Sequence, residues 1–386
     1  MELSRVIVVV MLCDAVRAYT LTPSRMAYGV AARQSTRCLG VRAATFAADS
    51  EDAKRSRSAE VLDEAKAEEE EAFLEAMDAA ATMARSPEAL EALRAAGNTA
   101  AAALKAAINA DESHPVVKVL SSVGEQASPS GKVLKALKKP KGTLAVLGEG
   151  VAVDTISMGG YDLNDPMYLS GQYRDGGCAA VLARDMGYPD GLSDDALTAT
   201  VNEQETARGE FPSPLPTISR APFVDELQVA AAKAAGAMAV ILPLNLNGVE
   251  RTKELMDEAA RLGLEALVRV TTPDELNAAC ALEPTMIVIG DSNLEQAQQM
   301  LSGVPSGALS ILDIPFADVR GAWRVRDLGF GGLVSGRSLL DVCVRDRVPP
   351  AAIIKAILSK GSVKYGLGMQ KGRLEGSKEF LGTLSM

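Results

Sequence analysis

The chain has 386 residues, 47% of them hydrophobic but only 4% aromatic, so a large core has to be built from Ala, Val, Leu and Ile. A formal charge of −10 argues against a nucleic-acid surface, which needs a basic face, and against binding to an anionic membrane surface. The single His114 and five scattered Cys give no zinc spacing, and no metal or cofactor fingerprint is present.

Residues 1–48 resemble a targeting leader. "MELSRVIVVVMLCDAVRAY" has a short basic start, an apolar run from Val6 to Cys13 and a small-residue site before Tyr19, which is the shape of a signal peptide. From Ala15 to Ala48 there is no Asp or Glu, while Arg17, Arg25, Arg33, Arg37 and Arg42 are spread among Ser, Thr and Ala, as in a transit peptide. The two in series resemble the leader of proteins sent to plastids of secondary origin. A mitochondrial leader is the alternative.

Residues 49–120 form an Ala/Glu-rich helical extension, with Ser86-Pro87-Glu88 as a helix start. A Ser/Gly-rich linker follows at 121–133. From Gly142 short apolar runs alternate with helical stretches. Strands are expected at 143–147, 178–183, 217–219, 239–242, 266–270, 285–289, 308–312 and 332–335. Runs apolar on both faces suit parallel strands covered by helices. Eight of them predict an α/β fold of the (β/α)8 TIM barrel type over residues 134–358, carrying the N-terminal helical extension. An open doubly wound sheet is the alternative, but the glycine fingerprint for dinucleotides is missing after the first strand. Cys178, Cys280 and Cys343 sit in apolar runs and read as buried free thiols. Residues 359–386 are a basic, Gly-rich tail, a docking segment or a loose terminus.

Four segments carry a family resemblance: "DPMYLSGQYRDGGCAAVLARD", "PTISRAPFVDELQVAAAKAAGAMAVILPLNL", "DEAARLGLEALVRVTTPDEL" and "GGLVSGRSLL". In this order they resemble the indole-3-glycerol phosphate synthase family of tryptophan biosynthesis. That family decarboxylates and cyclises a phosphorylated anilino-deoxyribulose with a lysine acid, a glutamate base and a second lysine. The resemblance puts the first-strand carboxylate and lysine on Val146 and Gly148, with Glu149 beside them as a substitute if the register slips. The third-strand general-acid lysine falls on Arg220, the fifth-strand glutamate on Arg269, and the sixth-strand asparagine near Gly290 or Asp291. A guanidinium does not release its proton at neutral pH, so Arg220 cannot serve as general acid.

The phosphate end of the family site is retained in part. Gly336-Arg337-Ser338 would open the last barrel helix with a Gly N–H and a Ser hydroxyl, either as a phosphate cradle or as an ordinary turn. Ile314 and Pro315 replace the partner glycine after the seventh strand. Arg184, Arg220, Arg269 and Arg337 all fall at the C-terminal ends of strands. They either converge on a phosphorylated or anionic small molecule or pair with acids such as Asp185, Asp291 or Asp313. The expectation is a synthase-like barrel that lacks the lyase reaction and binds an anion. The alternatives are an active carboxy-lyase and a non-catalytic plastid scaffold with a protein partner on the extension or tail.

Overall fold

A computed structural model of the chain describes residues 82–359 apart from 123–127, 141, 155, 156, 159, 194, 291 and 292, together with residues 72, 73, 75, 76 and 79. The leader, Cys13, Cys38, Asp291 and the tail from Lys360 lie outside the described residues. The chain divides into two units, Met1–Ala84 and Arg85–Met386. Described positions between residues 72 and 84 of the first are helical; the second contains the barrel.

The eight barrel strands are β1 (Ala145–Gly150), β2 (Ala180–Arg184), β3 (Thr217–Arg220), β4 (Ala239–Pro243), β5 (Glu265–Val270), β6 (Met286–Gly290), β7 (Leu309–Asp313) and β8 (Gly332–Val334). They pair in parallel and in sequence order, and β8 returns to β1 through the register Ala145↔Gly332 to Leu147↔Val334, which closes the barrel. The expected TIM barrel is therefore the observed fold. The first strand begins and ends later than its apolar run suggests. Thr143 is turned back onto the Pro140 carbonyl through its N–H and hydroxyl, while Leu147 to Gly150 pair with Ala180 to Ala183.

Alternate residues of each strand point inward, as a pleat of period two requires. Leu147, Leu182, Ile218, Ile241, Leu267, Val288, Ile311 and Val334 form one buried interior cluster. The floor is closed by the short helix α3. With α1 (Pro87–Ala110) and α2 (Pro115–Ser122) preceding it, α3 (Lys132–Leu137) starts on the last two residues of the expected linker, runs on past it, and buries Val133 and Leu137 in the interior cluster. Its start has no side-chain cap of its own. Instead the Glu265 carboxylate, at the base of β5, accepts from the Val133 and Leu134 N–H groups at 2.8 Å each.

The outer layer consists of α4 (Pro166–Gly176), α5 (Ala196–Thr206), α6 (Glu226–Ala234), α7 (Leu244–Arg261), α8 (Pro273–Cys280), α9 (Leu294–Leu301), α10 (Val319–Leu328), α11 (Gly336–Asp346) and α12 (Pro350–Leu358). Helix α1 starts as expected, with the Ser86 hydroxyl accepting from the Ala89 N–H. It is docked on the barrel. At Gly97 a Cβ would lie 2.4 Å from the Pro222 carbonyl oxygen, Gln228 donates to the Gly97 carbonyl, and Arg94 donates to the Leu246 carbonyl at 2.8 Å. Leu104 and Ile108 of α1, with Val116 of α2, join the second core cluster against α6 and α7.

The α3 cap gives a direct test of this floor. Glu265→Ala strips acceptors from two helix-start N–H groups, one of them buried, and should cost about 2–3 kcal/mol in urea unfolding. An unchanged midpoint would show that water serves these donors equally well.

Candidate functional site

The inward alternation that fills the barrel with Leu and Ile changes character at the C-terminal end of the strands. The next inward positions are Glu149, Arg184, Arg220, Pro243, Arg269, Gly290, Asp313 and Gly336. Adjacent members face one another in the strand register as Arg184↔Arg220, Pro243↔Arg269 and Gly290↔Asp313. Five long charged side chains thus share one layer with three residues that take little room.

Glu149 lies at the centre of the layer and is fully buried. Arg184 binds it through two donors, Nε to Oε1 at 3.0 Å and Nη2 to Oε2 at 2.7 Å, and Arg220 Nη1 reaches Oε1 at 3.0 Å. Arg220 turns its other amino group to Asp313 Oδ2 at 2.9 Å, where Arg269 Nε also binds at 3.1 Å. Arg184 completes its set with Asp190, on the loop after β2. Among the described residues three guanidiniums therefore meet three carboxylates, and this cluster is charge-balanced. The Tyr188 ring lies over both neighbouring arginines, 5.7 Å from Arg184 Cζ and 5.5 Å from Arg220 Cζ, which eases their like-charge contact.

The glycines allow this packing. A Cβ at Gly290 would stand 2.5 Å from Arg269 Nη2, and one at Gly336 would stand 2.9 Å from Glu149 Oε2. The Glu149 carboxylate thus lies against the first residue of α11. The Glu149 backbone is fixed from outside the barrel, where the Tyr173 hydroxyl of α4 donates to its carbonyl at 2.8 Å.

Arg184, Arg220 and Arg269 converge as expected, and their partners include the expected Asp313, together with Glu149 and Asp190. Asp185 pairs instead within its own loop, accepting from the Gly187 N–H. Arg337 does not join the other three. It stands on the rim, binding Asp154 at 3.3 Å and approaching Asp341 at 3.6 Å. Ser338 accepts from the Phe316 N–H at 3.0 Å, so its hydroxyl braces the loop after β7.

The placement of Val146 and Gly148 at the mouth is corrected. A Cβ on Gly148 would meet the Tyr173 ring at 2.3 Å, so this position faces the outer helices, and Val146 shares its side of the strand. The reason is the pleat: Leu147 is inward, so the mouth residue is Glu149, one position along. Alternation counted from Leu147 would have found it. Asp190 and Tyr188 lie on a loop, where sequence periodicity gives no signal.

The electrostatics follow from burial and pairing. Burial alone would raise the Asp313 carboxyl, but Arg220, Arg269 and Arg184 hold it well below its ordinary value. Burial opposes ionisation of Asp190 too, and Arg184 reverses that, lowering it. Burial would lower Arg184, but Asp190 and Glu149 raise it well above the usual guanidinium range. Arg220 is lowered by burial and by Arg184, and then raised on balance by Asp313 and Glu149. Burial pushes the Cys178 thiol up strongly and Cys343 to about 12, whereas Cys280, expected to be buried, is partly exposed. Among the described residues no group of three or more His, Cys, Asp or Glu could hold a metal ion, and no helix is long and apolar enough to cross a membrane.

Comparison with known proteins fits this frame. Residues 200–304, from α5 to the end of α9, match the sequence profile of indole-3-glycerol phosphate synthase. An indole-3-glycerol phosphate synthase from Halalkalibacterium halodurans is 29% identical over 134 residues, covering 33% of this chain and 52% of that protein. One from Staphylococcus saprophyticus is 29% identical over 133 residues, covering 33% and 51%. The chain spans about half the length of these curated relatives. Among solved structures, a chain of tryptophan synthase from M. tuberculosis aligns with a TM-score of 0.46 at 12% identity, over 59% of this chain and 98% of that one. The protein is a (β/α)8 barrel with an ionic mouth. Within that class it resembles the indole-3-glycerol phosphate synthase family of tryptophan biosynthesis.

The lowered carboxyls predict a direction for acid stability. Asp313 and Asp190 ionise more readily folded than unfolded, so their contribution is complete above about pH 4 and is lost as pH falls below it. The melting temperature should therefore hold from neutral pH down to about pH 4 and then drop. Arg220→Met, which removes the guanidinium shared by Glu149 and Asp313, should cost about 3–5 kcal/mol at pH 7 and flatten the acid limb. A variant with wild-type stability and the same acid limb would show that the network does not hold the mouth.

Proposed function

We propose that this protein is a synthase-like barrel that has lost the lyase reaction of the family it resembles and keeps an arginine-lined mouth for a phosphorylated or anionic small molecule. One observation carries the reading: Arg184, Arg220 and Arg269 are each ion-paired with Glu149, Asp190 or Asp313, and in that cluster the Asp190 and Asp313 carboxyls are held down and the Arg184 and Arg220 guanidiniums up, away from neutrality. Acid–base catalysis calls for the opposite, a donor and an acceptor tuned toward the working pH. Arg220 stands where the resemblance asks for a proton-donating lysine, and its proton is held more firmly still by Glu149 and Asp313.

Binding an anion asks less of these residues. Guanidiniums fixed by packing are suited to bidentate contact with a carboxylate or phosphate, and the start of α11 at Gly336 adds a favourable helix dipole. The ligand has to compete with the carboxylates already bound there, which favours a polyanion over a single weak charge. The leader fits action in a plastid, and helix α1 and the basic tail are the segments we assign to a protein partner.

Retained synthase activity is the competing reading, and the profile match across residues 200–304 speaks for it. Expression of residues 49–386 in a tryptophan auxotroph that lacks the synthase separates the two. No growth without tryptophan is expected, with soluble protein verified in the same cells. Growth would overturn the loss of the lyase reaction.

A further inference from the structure

The three carboxylates of the mouth differ in how they are held. Glu149 and Asp313 stand on strands, whereas Asp190 belongs to a loop that folds on itself. In that loop the Gly187 N–H donates to Asp185 Oδ1, the Tyr188 N–H to the Asp185 carbonyl and the Gly191 N–H to the Tyr188 carbonyl. Its neck is closed: a Cβ at Gly191 would stand 2.1 Å from the Asp185 carbonyl oxygen. Residues 185–191 therefore form a small self-contained loop packed on itself.

At its start the loop is tied to β3, where the Asp185 N–H donates to the Arg220 carbonyl at 2.9 Å, and further contacts hold the rest of it to the barrel. Asp190 pairs with Arg184, its carbonyl accepts from the Ala152 N–H at 2.9 Å, Tyr188 covers Arg184 and Arg220, and Gly187 rests on Pro222. Beneath it the supply of acceptors is incomplete. The Arg220 side chain is 5% exposed, yet its Nε has no hydrogen-bond partner among the described residues. A buried guanidinium donor without an acceptor is costly, and a ligand oxygen would remove the cost.

We infer that Asp190 is a built-in stand-in for the ligand: an oxyanion of the carboxylate or phosphate type takes its place on Arg184, engages Arg220, and releases the loop 185–191 from the mouth. The inference rests on the reading that the mouth binds an anion. Asp190 suits the part because it is partly open to water, at 29% side-chain exposure against 0% for Glu149. It can leave without exposing a charge that has no other partner, since Arg184 keeps both of its bonds to Glu149. In the empty protein it lowers the repulsion among three guanidiniums. In the bound protein the ligand does so.

Calorimetric titration of the full chain with inorganic phosphate, and separately with malonate, tests this. Asp190→Asn keeps the side-chain size, removes the competing charge, and should bind phosphate about tenfold more tightly than wild type. The gain should vanish in the double variant Arg184→Gln/Asp190→Asn. Gly191→Ala, which opens the neck and leaves every charge in place, should also tighten binding and covers the case in which Asp190→Asn does not fold. Equal affinity of wild type and both single variants would overturn the stand-in while leaving anion binding intact. Failure of all of them to bind either anion would overturn both.

Discussion

A carboxylate with no access to water has to be answered by donors, and at Glu149 that requirement organises one whole end of the barrel. Its two oxygens take three bonds from Arg184 and Arg220. Those two arginines are register partners on adjacent strands, so either one alone beside the other would be repelled. Glu149 between them, and the Tyr188 ring across both, make the pair tenable. Arg220 then carries the arrangement over to Asp313, and Asp313 to Arg269. The mouth is thus one connected ionic cluster in which each charge is the reason another can be buried.

Size is the second constraint, and it explains why the glycines are where they are. Five long side chains do not fit in a layer that receives eight, and the layer is relieved at Pro243, Gly290 and Gly336. Gly290 gives room to the Arg269 guanidinium and Gly336 to the Glu149 carboxylate. On the reverse face of β1, Gly148 lets the Tyr173 ring lie on the strand, from where its hydroxyl fixes the Glu149 carbonyl. A glycine that looks from sequence like the loss of a lysine is, in the folded protein, a packing site on the other side of the sheet.

The barrel was legible because its signal is redundant. Eight apolar runs with helices between them admit few topologies, and errors of two or three residues at a strand end, as at β1, do not alter the order. The arginine cluster was legible for a related reason, since Arg184, Arg220 and Arg269 each stand where an inward strand position ends. Sequence named Asp313 among their answering acids but could not supply the rest. Asp190 and Tyr188 reach the mouth from a loop whose course depends on its closed neck, and no periodicity announces that. The family pattern also misled at β1, because aligning letters put Val146 and Gly148 at the mouth while the pleat puts Glu149 there. Helix α1 shows the same limit. Its Ser86 start was readable, but its docking depends on the contact between Gly97 and Pro222, 125 residues apart in the chain.

That contact connects the two halves of the functional picture. Pro222 lies just past Arg220, and the backbone of α1 rests on its carbonyl while Gly187 of the Asp190 loop rests on its ring. The α6 side chain Gln228 holds the same segment by donating to Gly97 and accepting from the Val224 and Asp225 N–H groups. Helix α1 is therefore part of the support beneath residues 185–191. At this mouth the charged positions pair with one another, Glu149 and Asp313 from strands and Asp190 from a loop.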